Sequence, residues 1–322
     1  MGIIHADHAL LHRLIREDEV LLRSSDFPAD TIEAVFRTGA MIGSAIHHHP
    51  SLSRGMDHAR ILIEDYEQRG ASFPSGLVII ADTMTGGKGR FQRAWHAPVG
   101  GLWLTVVLVN TLLPASTMLY PLAVGVAAAE AVIPILPQAR LKWVNDLHVH
   151  GEKVGGILVE TLRGRRSGEE YVLLGLGINV NNTEFPGELT GLAVSIRTLS
   201  GQEIDLSSLL LSFLAKLTWN IGLLHVEEAN LLEAEGASGG VDPDILALGI
   251  GGRTHHLVKR YRSLCDSVGR RVLYGHDVQN KPLFSAGVRS IDGAGRLVLT
   301  LGDGSIITEN SGEISYIDPI KE

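Results

Sequence analysis

Two glycines inside one apolar, strand-like run constrain this chain more than any other feature. The run is Tyr171 to Leu174, followed by Gly175-Leu176-Gly177-Ile178-Asn179-Val180-Asn181. Side chains alternate between the faces of a strand, so Gly175 and Gly177 bare the same face. A flat group could pack on that backbone, and a tight sheet contact would use it equally well. Further β-rich runs at Leu77–Ala81, Leu102–Leu108 and Ile157–Leu162 supply neighbouring strands. Helical spacing marks residues 1 to about 40, with Leu10, Leu11, Leu14 and Ile15 on one stripe. It returns from about Asp57 to Arg69, where Leu62, Ile63 and Tyr66 point inward and Gly70 is the stop. An Ala-rich helix is expected over Leu122–Ile133 and another over Leu206–His225, while residues 227–253, rich in Gly and acidic side chains, read as an irregular insertion.

Beyond a boundary near Gly269 the texture is all β. Arg271–Leu273, Phe284–Ile291, Leu297–Leu301, Ile306–Thr308 and Ile314–Tyr316 alternate with turn pairs such as Asp292-Gly293 and Asp303-Gly304. The expected class is α+β: a helical extension over 1–44, a main unit over 45–268 and a small β-barrel-like module over 269–322. With 45% hydrophobic and 20% charged residues in 322, the chain has a globular composition. A net charge of -8 without a dense Lys/Arg block argues against nucleic acid as a partner. Cys265 is the one cysteine, which leaves no intrachain disulfide and fits a reducing compartment. The N-terminal segment meets charges too early for a signal-peptide core, and stretches such as Leu102–Val109 are too short to span a bilayer. The expected location is cytoplasmic, with no membrane partner.

Three local patterns carry chemistry. Residues 81–95, ADTMTGGKGRFQRAW, place Gly86, Gly87 and Gly89 among Lys88, Arg90 and Arg93 directly after a strand. Glycines let the backbone approach a ligand and turn its N–H groups toward it, and the cations neutralise phosphate or carboxylate. The spacing is neither a Walker loop nor a dinucleotide fingerprint, and a solvated surface loop would look the same. Lys142-Trp143-Val144-Asn145-Asp146 ends a strand in a turn pair, and the hairpin at Gly151-Glu152 returns Lys153 beside it. Asn145 and Asp146 could hold a magnesium ion through oxygen, or simply make the turn; Lys153 could be an exposed hairpin lysine. The glycine-marked strand is the third pattern.

In order and spacing these patterns resemble the biotin–protein ligase family, whose motifs read G-R-G-R-x-G-R-x-W, K-W-P-N-D, K-x-x-G-I-L and G-x-G-I-N. They stand here as Gly87 to Trp95, Lys142 to Asp146, Lys153 to Leu158 and Gly175 to Asn179; Ala193-Val194-Ser195-Ile196 and Gly312-Glu313-Ile314 also match. The resemblance covers about 45–225 and 255–318. It implies a mixed-sheet, class II synthetase-like catalytic domain with an SH3-like C-terminal domain. It implies ATP and Mg2+, biotin as the acid, and a carrier protein domain whose lysine accepts the acyl group; no metal site of the protein's own is implied, and a homodimer is left open. Lys153, Arg90 and Lys88 would act on the reacting carboxylate and phosphate. Gly87, Gly89 and Arg93 would close over them, Trp95 would stack near adenine, and Asn145 with Asp146 would serve the ATP–metal end. Gly156, Gly177, Asn179 and Met84 would complete the ligand pocket.

Several positions depart from the family pattern. Its Ser-Thr-Asn before the first core helix falls at Arg54-Gly55-Met56, its ureido-binding Gln becomes Met84, its last loop glycine is Gln92 and its Pro is Val144. A site built for an amide-like ring loses hydrogen bonds by such changes. Ser51, Ser53 or Thr83 could substitute, and Met84→Gln with Gly55→Thr is expected to strengthen biotin binding. Two other readings stay open: the same chemistry on a lipoyl-like or other acid, and a homologue that binds without turnover. His47-His48-His49 and His255-His256 point to opposite faces if extended, so solvation or pocket lining is expected over metal binding. Cys265 reads as a buried small hydrophobe. The N-terminal segment is too short for a winged helix, which gives no expectation of direct DNA regulation.

Overall fold

The apolar runs become neighbours in one mixed, seven-stranded sheet. The computed structural model describes residues 7–238 and 254–317. Its first sheet holds β1 (Ile46–His49), β2 (Leu77–Ala81), β3 (Leu102–Val109), β4 (Arg140–Lys142), β5 (Asp146–Val149), β6 (Glu152–Arg163) and β7 (Glu170–Ile178). The order is β1-β2-β3-β7-β6-β5-β4; β1 runs parallel to β2 and every other pair is antiparallel.

Helices cover both faces. In chain order they are α1 (His8–Leu14), α2 (Val20–Arg23), α3 (Ala29–Gly39), α4 (Gly55–Gln68), α5 (Pro114–Thr117), α6 (Tyr120–Val132), α7 (Ile196–Ser200), α8 (Leu206–Ser238) and α9 (His256–Leu264). The α4 helix seals one face through Met56, Ala59 and Ile63 against Leu77, Ile79 and Val107. On the other face α6 lies on the sheet and α8 lies on α6. The windows Pro114–Val132 and Leu206–Ala234 are long and apolar enough to cross a membrane by length and composition; 72% and 83% of them are buried inside this fold. Their apolar surface serves the core.

The α8 helix corrects the expected insertion. It continues through residues 227–238, because Glu, Ala and Leu in that stretch are strong helix formers and outweigh a single glycine. Residues 239–253 of the expected insertion lie outside the described residues.

The N-terminal helices form a third layer on α8. Buried charges fix their register: Arg23 Nη2 meets Glu130 Oε2 at 2.6 Å and Glu19 Oε2 at 3.1 Å, and Lys216 Nζ meets Glu19 Oε1 at 2.5 Å. Glu130 is a lone carboxylate in the Ala-rich α6, and Arg260 caps its other side at 2.7 Å. Removing one partner of such a buried set leaves an uncompensated charge.

The second sheet contains β8 (Arg271–Gly275), β9 (Phe284–Ile291), β10 (Leu297–Thr300), β11 (Ile306–Glu309) and β12 (Glu313–Tyr316), ordered β11-β10-β9-β8-β12 and antiparallel throughout. Its apolar side is continuous with the main core, and Trp143 Nε1 donates to Gly295 O at 3.0 Å across the junction.

Helices α3 and α8 approach through two glycines. A Cβ at Gly39 would stand 2.0 Å from Thr218 O, and one at Gly222 would stand 2.0 Å from Val35 O. Both contacts are with backbone, which cannot rotate away. Gly222→Ala should therefore destabilise the chain by about 1–3 kcal/mol, read as a lower melting temperature by calorimetry. An unchanged melting temperature would show that the helices part without cost.

Candidate active site

The bare sheet face is occupied, and by the protein itself. Across β3, β7 and β6, Trp103 pairs with Gly177 and Gly177 with Gly156; one row further, Thr105 pairs with Gly175 and Gly175 with Leu158. The Trp95 indole lies on the first row: a Cβ at Gly177 would be 2.8 Å from its Nε1, and one at Gly156 would be 3.1 Å from its Cζ3. The Met56 thioether lies on the second, with Cε 2.7 Å from a Cβ built at Gly175. The flat group expected on the glycines is thus first of all Trp95. Its Nε1 is buried without a hydrogen-bond partner among the described residues.

Around these side chains opens a cavity of about 410 Å3. Lys88, Gly89, Arg90, Arg93, Trp95 and Met84 reach it from the cationic loop, Asn145, Asp146, Lys153 and Gly156 from the β5–β6 hairpin, and Gly177 with Asn179 from β7. Gly87 does not line it; its missing Cβ makes room for Trp95 O, 2.6 Å away. The sequence motifs therefore converge in space.

The hairpin centres on one carboxylate. Asp146 accepts from Lys153 at 2.6 Å and lies 3.6 Å from Lys142. Burial alone would raise the Asp146 pKa, but Lys153 and Lys142 hold it below its ordinary value of 3.8. Lys153 is not the exposed hairpin lysine that its turn position suggested: its side chain is 32% exposed and its ammonium lies 5.2 Å from the Trp95 ring centre. Asn145 accepts from Arg90 Nη1 at 3.3 Å and donates to Ile157 O at 2.9 Å. Both candidate magnesium ligands are thus engaged by cations, and no group of three or more His, Cys, Asp or Glu forms a metal cluster among the described residues. They do not fit a metal site of the protein's own. Asn179 is likewise a framework residue, its amide tied to Asn182 at 3.1 Å and to Lys153 O at 3.5 Å.

The loop is a small hairpin whose tip is held from the second sheet, which the sequence pattern gave no means of seeing. Gly89 N donates to Arg93 O and Trp95 N to Gly87 O, each at 2.9 Å. Arg90 Nη1 donates to Gly312 O at 2.8 Å, and Arg93 bridges Glu313 at 2.7 Å and Asp277 at 3.0 Å. Burial lowers the pKa of Arg90, opposed by Glu313 and Asp146. Phe91 and Gln92 stand at φ 55° and 61°, left-handed values that favour glycine. The turn demanded by the family's glycine is therefore kept with Gln92 in its place, at a cost of about 1–2 kcal/mol.

The far end of the cavity is walled by Arg54, Gly55, Met56, Met84, Thr105 and Leu158. Arg54 pairs with Glu160 and with Asp57, the latter at 3.2 Å. Thr83 is not among the residues lining the cavity, and its hydroxyl donates to Ala97 O at 2.9 Å.

Residues 63–179 match the model of the biotin/lipoate A/B protein ligase family. The chain is 35% identical over 149 residues to the bifunctional ligase/repressor BirA of Bacillus spizizenii, covering 44% of each chain. It is 29% identical over 254 residues to the biotin–[acetyl-CoA-carboxylase] ligase of Mycobacterium tuberculosis, covering 75% of this chain and 79% of that one. The matches span about half the length of the Bacillus relatives, 44% in B. spizizenii and 55% in B. subtilis. The fold is that of the Aquifex aeolicus biotin protein ligase solved with biotin and ATP: TM-score 0.60 at 22% identity, covering 84% of this chain and 97% of that one.

The neighbours of Gly55 and of the histidine runs follow from the packing. A Cβ at Gly55 would lie 2.7 Å from Thr105 Oγ1, so Gly55→Thr requires the Thr105 side chain to turn aside. His255 and His256 line a second cavity, as expected of them, and both also engage Glu227. In the other histidine run, His48 pairs with Asp82 at 2.7 Å. Cys265 is buried and burial raises its thiol pKa, as a small hydrophobe should behave.

Asp146→Asn tests the electrostatics of the hairpin. A depressed carboxylate pKa contributes stability above the unfolded value, lost as pH falls through the folded one. The wild type should exceed the variant by about 1–3 kcal/mol near neutral pH, and the gap should narrow progressively as pH falls below about 4. Denaturant melts between pH 3 and 7 decide it; a pH-independent gap would assign the loss to packing.

Proposed function

We propose that this chain uses ATP to activate biotin as its acyl-adenylate and passes the biotinyl group to a lysine of a carrier protein domain. The observation that carries the reading is Lys153. Its one ion pair among the described residues is with Asp146, and it stands over Trp95 inside the cavity, beside the cationic loop.

A carboxylate and an α-phosphate repel each other, so their approach needs fixed cations where negative charge builds up. Lys153, Arg90 and Lys88 supply them. The carboxylate oxygen attacks the α-phosphorus, the bond to the bridging oxygen breaks, and pyrophosphate leaves. Trp95 offers a flat face for adenine, and Arg93 with the glycine-bearing loop shields the adenylate from water. A neutral lysine amine of the carrier domain then attacks the acyl carbonyl. The carbon–oxygen bond to AMP breaks, and the nitrogen gives up a proton. Magnesium belongs here to the ATP substrate, with phosphate oxygens as its main ligands.

The division into a helical extension (1–44), a catalytic unit (45–268) and an SH3-like unit (269–322) is part of the proposal. So is a cytoplasmic location, where ATP and reduced Cys265 are at home. A second reading keeps the mechanism and changes the acid to a lipoyl-like or other acyl group; Met84 and Gly55, which replace hydrogen-bonding residues of the family pattern, favour it.

Pyrophosphate–ATP exchange tests both readings, with biotin, lipoate and octanoate offered in parallel. Exchange with none of them would leave a binding homologue without turnover. Lys153→Ala should lower exchange by roughly 30- to 1,000-fold, the loss of about 2–4 kcal/mol of charge stabilisation. Its melting temperature should fall as well, because Asp146 keeps only the more distant Lys142, so exchange is compared per folded enzyme. Full activity in the variant would remove Lys153 from the mechanism.

A further inference from the structure

We infer, resting on the acid-activating reading of Lys153 above, that His148 and Asp266 are positioning residues that hold the lysine ammonium inside the cavity.

Lys153 reaches the cavity because β6 breaks its own alternation. Gly156 turns its bare side to the cavity, where the Trp95 and Lys153 side chains lie over it. On a regular strand Lys153, three residues away, would point to the opposite face. It does not, because Leu147 pairs with Gly155 while the next residue, His148, pairs with Lys153. Val154 is thus the extra residue of a β-bulge, and a bulge re-aims the side chains beyond it. Val154 is buried in the core, and Lys153 returns to the face of Asp146, 2.6 Å away.

His148 stands opposite this bulge and is pinned at both ring nitrogens, with its side chain 3% exposed. Nδ1 accepts from Gly151 N at 3.1 Å across a turn in which His150 and Gly151 take φ of 50° and 92°. Two consecutive left-handed residues make the tight turn that joins antiparallel strands, and this bond closes it just before Lys153. With Nδ1 accepting, the ring carries its proton on Nε2 and donates to Asp266 Oδ1 at 3.0 Å.

Asp266 is itself held fast. Tyr316 donates to Oδ1 at 2.6 Å, Arg270 Nη2 to Oδ2 at 2.8 Å, and Asp266 N donates to Leu141 O at 3.1 Å. Burial would raise the Asp266 pKa, but His148, Tyr316 and Arg270 hold it below its ordinary value of 3.8. The carboxylate therefore stays an acceptor for Nε2–H, and the ring keeps the tautomer that the turn requires. Neither His148 nor Asp266 lines the cavity, so their effect reaches the reaction through Lys153. The lysine backbone is also bonded to Leu192 O at 2.8 Å and to Val194 N at 3.1 Å. Loss of His148 should accordingly loosen the ammonium without removing it.

Two measurements read the ammonium position independently: pyrophosphate–ATP exchange with the acid that the wild type uses, and carbon-13 NMR titration of the Asp146 carboxylate. His148→Leu removes both ring bonds at similar volume; it should lower kcat about tenfold and leave KM within about twofold. His148→Asn, whose carbonyl can still accept from Gly151 N, should recover part of the loss. Asp266→Asn, a weaker neutral acceptor for Nε2–H, should cost about threefold. In a Lys153→Ala background His148→Leu should cost no more than about twofold, since nothing remains to be positioned. The Asp146 midpoint should rise by about half a unit or more in His148→Leu as Lys153 leaves it. Melting curves check folding, and His148→Gln, which keeps the donor to Asp266 and loses the acceptor, carries both readouts if His148→Leu does not fold. Additive losses with Lys153→Ala, an Asp146 midpoint that stays put, or full kcat in Asp266→Asn would overturn the assignment. A wild type that exchanges with no acid would count against the adenylation reading instead, and the Asp146 titration would still decide what positions Lys153.

Discussion

The architecture of the site depends on one steric fact: a patch of sheet backbone without side chains. Gly156, Gly175 and Gly177 lie on adjoining rows of β6 and β7, and any Cβ there would run into Trp95 or Met56. Because the patch is bare, an indole can lie flat on the strands and Lys153 can fold back over Gly156. Sheets ordinarily cover themselves with alternating side chains, so a cavity on a sheet face has to be made by leaving atoms out. The α4 helix on the same face then closes one end of the hollow with Arg54, Gly55 and Met56.

Electrostatics divides the hollow into two ends. At one end cations outnumber carboxylates: Lys153, Lys142, Lys88, Arg90 and Arg93 surround Asp146, with Glu313 and Asp277 drawing Arg93 toward the second sheet. Anionic reactants gain there from preorganised charge in a partly dry setting. At the other end Arg54 and Arg60 are balanced by Asp57 and Glu160, and the wall is thioether and aliphatic. The same contacts tie the two sheets together. The loop that carries the charge is clamped by Gly312 O and Glu313, so β12 takes part in shaping the site as well as in the second sheet.

Read from the chain alone, the departures at 54–56 and 84 suggested polar partners removed. In three dimensions the space left at Gly55 is taken by another strand. Thr105 sits in a β-branched apolar strand, where its hydroxyl gives no local signal, and only the pairing of β3 with β7 beside α4 puts Oγ1 where a side chain at Gly55 would be. A contact of this kind joins residues fifty positions apart and has no footprint in a motif.

By itself the sequence determined the elements and the chemistry of the loop. Alternation and helical spacing placed β2, β3, β7, α4 and α6, and the four ordered motifs pointed to the family, because strand periodicity, turn residues and ligand-handling glycines act over a few residues. It misjudged residues 227–238, where Gly236 and the acidic side chains drew attention from a composition that favours helix. Tertiary structure alone decided that Trp95 occupies the glycine patch, that Lys153 is paired with Asp146, that Arg93 is held by Glu313 and Asp277, and that Thr105 faces Gly55. Each of these is a contact between groups that only sheet pairing and packing bring within a few ångströms. Side-chain contacts and charge pairing act through that distance, and no local property of the chain encodes it.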